Sequence, residues 1–183
     1  SPLLRAFKDS NRNYYALRPG GGIDYYSAIR IPQAIDNNDL KNFAKQGIYS
    51  QEDLQNSDAT ALRTLRAFDR GEADVQDTLT DVMAYTAPLA VGRDAGHSDQ
   101  EKRKLDGLRE RYQRTLEDSP WKRCVCQVCR TTGIEAIIFR ASNRNKRRGI
   151  HNLYAYRQHL NRVEEKQEHG GYDYIQSHIS AAE

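Results

Sequence analysis

No stretch of this chain approaches the roughly 20 consecutive apolar residues that a bilayer-crossing helix needs. The hydrophobic fraction is 38% and the mean hydropathy −0.87, so charge must cover much of the surface and no membrane partner is expected. The opening does not read as a secretory signal either, its first apolar stretch being only Pro2, Leu3 and Leu4. Methionine is nearly missing: the single one is Met83, while the chain opens on Ser1. Ser1 is therefore not expected to be a translation start, and the chain reads as a processed product or a piece of something longer. Cysteine is scarce as well. Three cannot all pair with one another, and an intracellular protein keeps thiols reduced, so the expectation is a metal site in a cytoplasmic protein rather than a disulfide framework.

Acid is almost absent from residues 121–163, where Glu135 stands alone against ten Lys and Arg. That block carries an excess of nine positive charges, while the rest of the chain is acidic and the whole is only +3. A segregated positive block attracts polyanions even when a protein is near neutral overall.

What the sequence does contain is concentrated in that block. All three cysteines, Cys124, Cys126 and Cys129, fall within six positions as Cys-x-Cys-x-x-Cys. Thiolates are good ligands for zinc, which takes four N or S donors in a tetrahedron, and so tight a knuckle can supply three to one ion. His151, which follows a glycine across a basic segment, is the favoured fourth ligand, with His159 two turns further on as its competitor. Four protein ligands leave no open position, so the zinc would be structural. One imidazole and three thiolates leave a net negative charge, which Arg123 and Arg130 are near enough in sequence to offset. Between the knuckle and His151 lies a loop with Arg140, Arg144, Lys146, Arg147 and Arg148, interspersed with Asn143 and Asn145. These five cations match a phosphate backbone and are the candidate nucleic-acid contacts. Tyr14, Tyr15, Tyr25 and Tyr26 have two readings, base stacking or packing within strands.

The fold class expected is α+β, mainly helical. Residues 14–17 and 23–31 flank Pro19-Gly20-Gly21-Gly22 and read as a hairpin with a loose loop. Residues 1–9 read as the end of a buried element. Residues 36–118 read as a helical insert, with apolar stripes ending at Gly47, Gly71 and before Pro88, a surface loop over 90–97, and a capping box at Ser98-x-x-Glu101. Residues 119–169 hold the knuckle, a buried strand over 133–139, the basic loop 140–148 and a helix over 151–167. Residues 170–183 are expected to form a flexible tail, and residues 1–35, with the hairpin, to precede the insert.

Cys124-Val-Cys126-Gln-Val-Cys129, followed by His151-Asn152-Leu153-Tyr154-Ala155-Tyr156, resembles the C-terminal zinc motif of the tRNA-guanine transglycosylase superfamily. Residues 133–151 look closer to its DNA 7-deazaguanine branch, which exchanges guanine in DNA for 7-cyano-7-deazaguanine. The opening residues 1–9 fit that branch as well. The resemblance implies the C-terminal part of a (β/α)8-barrel enzyme, with structural zinc on Cys124, Cys126, Cys129 and His151. It implies DNA as substrate, or tRNA as the alternative, a 7-deazaguanine base as the small-molecule partner, and a homodimer or a catalytic partner subunit as further candidates. The spacing from Cys129 to His151 is shorter than in the tRNA enzymes. The family's nucleophilic aspartate is expected upstream of Ser1, so no catalytic residue is assigned within the chain.

Overall fold

The computed structural model describes residues 1–33, 38–47, 49–91, 98–140 and 142–180, with the side chains at 39, 142–145 and 170–180 outside the description. The start of the helical insert at Asp36 and most of the expected 90–97 loop lie outside the described residues.

The chain is mainly helical. Helix α1 (Pro2–Asp9) leads into β1 (Asn13–Leu17) and β2 (Ile23–Ser27), which pair antiparallel with Tyr14 opposite Tyr26 and Tyr15 opposite Tyr25. Gly21 and Gly22 carry φ of +102° and +91° in the connecting loop, a backbone region that side chains disfavour. The exposed Arg18–Asp24 pair, at 2.8 Å, closes its base. Strand β3 (Ile29–Arg30) then pairs in parallel with β4 (Ile138–Phe139), more than a hundred residues away. That pairing brings the hairpin to the far end of the chain.

Between them lie α2 (Asn38–Lys45), α3 (Gln51–Asp69), α4 (Val75–Val91) and α5 (Asp99–Asp118). Local chemistry starts them: the Ser50 hydroxyl accepts from Asp53 N at 2.9 Å, and Ser98 and Glu101 form a reciprocal capping box. Their apolar stripes close one core. Leu54, Ala61, Leu62 and Leu65 of α3 meet Leu79, Val82 and Tyr85 of α4 and Tyr112 and Leu116 of α5. Helix α4 passes Pro88 rather than stopping before it. Lacking an N–H, the proline leaves the Ala84 carbonyl one turn back without its helical donor, a local loss that the packed helix absorbs near its end.

Three expectations need correction. Residues 1–9 form an amphipathic helix with Pro2 in its first turn, burying Ala6 and leaving Leu3 and Leu4 exposed. Residues 133–139 are not a strand throughout: Gly133–Ala136 is a 3-10 turn, and only Ile138–Phe139 is extended. A short apolar run looks alike in either state when both its faces are covered, and Ile134, Ile137 and Ile138 are all buried. The turn is also forced locally. Gly133 has φ +54°, and a Cβ there would lie 2.5 Å from an Asp69 carboxylate oxygen. Finally, the basic segment is not a loop. Helix α8 (Ser142–Ser180) includes most of it and runs on past Gln167 through Gly170 and Gly171. Residues 142–148 contain no proline or glycine to prevent this, and Lys and Arg are good helix formers. Gly149 within α8 permits a close crossing, since a Cβ there would stand 2.7 Å from the Phe7 ring of α1.

Candidate metal centre

Cys124 and Cys126 lie on the turn between the short helices α6 (Pro120–Arg123) and α7 (Gln127–Thr132), and Cys129 lies within α7. Cys124 leaves α6 in an extended conformation. Cys126 is the N-cap of α7, where its sulfur accepts from Cys129 N at 3.4 Å. The Cys-x-x-Cys spacing is thus a helix-capping turn, which sets both sulfurs on one side of the helix start. The knuckle is anchored from below: Trp121 Nε1 donates to Asp69 Oδ1 at 2.7 Å, and Ile134 N donates to Asp69 Oδ2 at 3.0 Å.

His151 arrives from α8. Its Nδ1 lies 3.5, 3.3 and 3.4 Å from the sulfurs of Cys124, Cys126 and Cys129. Among the described residues these four form a group of potential ligands whose donor atoms all lie within 4.8 Å of one another, three of the residues buried and Cys124 half-buried. For a tetrahedral ion with Zn–S of about 2.3 Å and Zn–N of about 2.0–2.1 Å, the N···S edge comes to about 3.6 Å. The spacing therefore fits zinc. The ring is also held in the tautomer a metal needs. Nε2 lies 2.7 Å from the Tyr15 carbonyl, which can only accept, so Nε2 carries a proton and the neutral ring would turn its Nδ1 lone pair to the sulfurs. Tyr14 stacks flat on the imidazole, centroids 3.9 Å apart and planes within 11°, and its hydroxyl lies 3.2 Å from Cys129 Sγ. Burial, with thiolate charge close by, pushes the Tyr14 phenol well above its ordinary range. It therefore stays protonated and is able to donate to a Cys129 thiolate.

By themselves the four groups cannot all take the form that a metal requires. Hydrogen bonds from Cys129 and then His151 outweigh burial and hold the Cys124 thiol down to about 3. That charge beside it, and then burial, push Cys129 up. Burial opposes a charge on His151, but bonds to Cys124 and Cys126 outweigh it and raise it to about 9. A divalent cation would replace that shared proton set, since three buried thiolates around a neutral imidazole need a positive centre. His159 lies outside the group, its ring tilted against Tyr156.

Residues that the sequence did not single out support this arrangement. Asn152 is fully buried, accepting from Tyr15 N at 3.0 Å and donating to Ala6 O at 3.2 Å and Asn13 O at 3.0 Å. It ties α8 to α1 and β1 beside the imidazole.

The five candidate nucleic-acid cations part company. Arg140 is buried, paired with Asp58 of α3 and donating to Ile31 O at 3.0 Å. Arg148 is 1% exposed and donates to the carbonyls of Ser10, Ala136 and Ile138; burial lowers its pKa to about 10. Both are internal struts in this structure and, as they stand, present no cation to an external phosphate. An arginine can satisfy several backbone carbonyls at once, so burial among them is sustainable. Lys146 and Arg147 are exposed on α8, and the Arg144 side chain lies outside those described. Of the four tyrosines, Tyr14, Tyr15 and Tyr26 are buried packing groups and Tyr25 is exposed.

Comparison with known proteins places this geometry in context. The chain is 37% identical over 153 residues to a DNA-guanine transglycosylase of Salmonella montevideo, a match covering 84% of this chain and 33% of that protein. The chain thus spans about a third of its relative's length, which is consistent with its being a C-terminal portion of a transglycosylase. No family model matches it. No described helix is long and apolar enough to cross a membrane.

Proposed function

We propose that this chain is the zinc-bearing C-terminal portion of a guanine transglycosylase that exchanges guanine in DNA for a 7-deazaguanine base. The observation that carries the reading is the convergence of Cys124, Cys126, Cys129 and the Nδ1 of His151 in a chain 37% identical to a DNA-guanine transglycosylase. DNA is preferred over tRNA because that relative's name specifies it. The parent is taken to be a (β/α)8-barrel enzyme, with residues 1–35 as the barrel-end segment and hairpin, 36–118 as a helical insert, 119–169 as the zinc subdomain and 170–183 as a tail.

Zinc bound by these four ligands acts as a structural cross-link with no open position for substrate. The protein's own contribution is to orient the ligands. Tyr15 O fixes the imidazole tautomer, Tyr14 covers its face and donates to Cys129, and Cys129 N donates to Cys126. His151 and Asn152 together then join the knuckle, α8 and β1 into one unit. Base exchange itself needs a carboxylate that takes the sugar C1′ and releases guanine, after which the incoming base displaces it. No acid of this chain is assigned that role.

Two measurements test the reading. Elemental analysis is expected to find one zinc per chain, and chelation to lower the urea midpoint. Radiolabelled guanine release from DNA by the full-length protein, dependent on an added 7-deazaguanine base, is expected as well. A chain without stoichiometric zinc removes the metal assignment; a zinc-loaded full-length protein that exchanges no base in DNA removes the enzymatic one.

A further inference from the structure

The basic segment 140–148 spends Arg140 and Arg148 on the interior, so the search for an anion-binding surface turns to the rest of the molecule. A concavity of about 630 Å³ opens between the hairpin and the helical pair α4–α5. Its polar rim is one-signed. Arg12 from the start of the hairpin, Arg30 from β3, and Lys104 and Arg111 from α5 all line it and all are exposed. No carboxylate lines it among the described residues, and none of the four cations is paired to one there.

Helix α5 alternates charge along its sequence, which ordinarily means only a solvated face. The fold sorts that alternation. Lys104, Leu108 and Arg111 recur at helical spacing and reach the cleft, while Asp106 and Glu110 of the same helix do not line it. The strip also continues. Arg12 lines a second concavity with Arg5 and Lys8 of α1, where the one acid is Asp9. Asp9 is already engaged, accepting from Asn13 Nδ2 at 3.1 and 3.0 Å. The floor of the main cleft offers apolar Ala28, Leu89 and Leu108, suited to sugar rings beneath a row of phosphates.

We propose that this cleft is the track of a nucleic-acid phosphodiester backbone, gripped by Arg12, Arg30, Lys104 and Arg111. The proposal rests on the reading that the protein works on nucleic acid, and it gives the grip to residues outside the zinc subdomain. Among the described residues these exposed cations make no ion pair, although Lys104 donates to Ala90 O at 2.6 Å and Arg30 lies 4.8 Å over the Phe139 ring. The cleft therefore presents charge without having to break internal ion pairs, which Arg140 would have to do.

The test is a salt titration of the zinc-loaded chain with a fluorescent 20-base-pair duplex, read by anisotropy between 50 and 200 mM salt. Each phosphate contact contributes about −0.9 to the slope of log Kobs against log salt. The variant Arg12→Gln, Arg30→Gln, Lys104→Gln, Arg111→Gln is therefore expected to flatten the slope by about 3.6. Over that fourfold salt range, those contacts alone account for about a 150-fold loss of wild-type affinity. A control pair outside the cleft, Arg63→Gln with Lys102→Gln, is expected to change the slope by less than one contact's worth. Zinc content and circular dichroism confirm that each variant is folded. Wild-type binding with an unchanged slope in the folded quadruple variant overturns the proposal and leaves the enzymatic reading intact. Cleft-dependent DNA binding by a full-length protein that exchanges no base sustains the cleft and overturns that reading instead.

Discussion

Removal of the buried amide at Asn152 is the most exacting test of how the metal centre is held. The side chain is wholly inaccessible and makes three hydrogen bonds to three backbone groups, on Ala6, Asn13 and Tyr15. Asn152→Ala leaves one N–H and two carbonyls without that partner, at about 1–3 kcal/mol for each group that stays unsatisfied. Partial relaxation and non-additivity bring the expected total to about 3 kcal/mol. Asn152→Asp is the sharper variant. It keeps an acceptor for Tyr15 N but turns a carboxylate toward the oxygens of Ala6 and Asn13, so it is expected to cost at least as much as alanine. Urea unfolding followed by circular dichroism provides the assay, at one fixed free-zinc concentration because bound metal adds its own stability. With a slope of about 2 kcal/mol per molar urea, 3 kcal/mol moves the midpoint by about 1.5 M. A midpoint shift below about 0.5 M at unchanged slope, or an aspartate variant more stable than the alanine one, would refute the assignment of Asn152 as the tie between α8, α1 and β1.

Other perturbations probe neighbouring contacts. Tyr14→Phe keeps the stacked ring but loses the hydroxyl bond to Cys129, so zinc affinity is expected to fall about tenfold, at the low end for a lost ligand-orienting bond; competition with a chromophoric chelator measures it. Arg140→Ala removes the guanidinium paired with buried Asp58 and is expected to cost about 3 kcal/mol. Adding Asp58→Ala should return part of that loss in a double-mutant cycle, and strict additivity of the two would contradict a coupled pair. Gly149→Ala forces a Cβ to 2.7 Å from the Phe7 ring, an overpacking expected to cost about 1–3 kcal/mol in thermal or urea unfolding. Phe7→Leu in the same chain should recover part of it if the clash is with that ring.

The helices of residues 38–118 were legible because each carries its own punctuation. Ser50 and Ser98 cap where a short hydroxyl precedes an acidic first turn, and the apolar stripes repeat at helical spacing. The hairpin was legible for a similar reason, since its loop needs the positive φ that Gly21 and Gly22 adopt. Over residues 133–148 the local pattern is ambiguous. An apolar run enclosed on both faces does not reveal its period, and a run of cations reads as solvated loop unless its partners are known. Those partners are Asp58, far away in α3, and the carbonyls of Ser10, Ala136 and Ile138.

The sequence alone determined the three thiolate donors, because zinc's preference for thiolate and the reach of a three-residue capping turn are local matters of chemistry and spacing; it favoured His151 over His159 as the fourth, and the fold is what brings His151 to the sulfurs. The sequence determined as well that charge is segregated along the chain. Only the tertiary structure decided which of those charges face solvent, that Tyr15 O selects the imidazole tautomer, and that Asn152 rather than a further ligand secures the helix. Each of these depends on a backbone group or a carboxylate distant in the chain, brought into range by the parallel pairing of β3 with β4 and the crossing of α1 over Gly149. No local signal marks such a partner, since its effect exists only once both segments are packed.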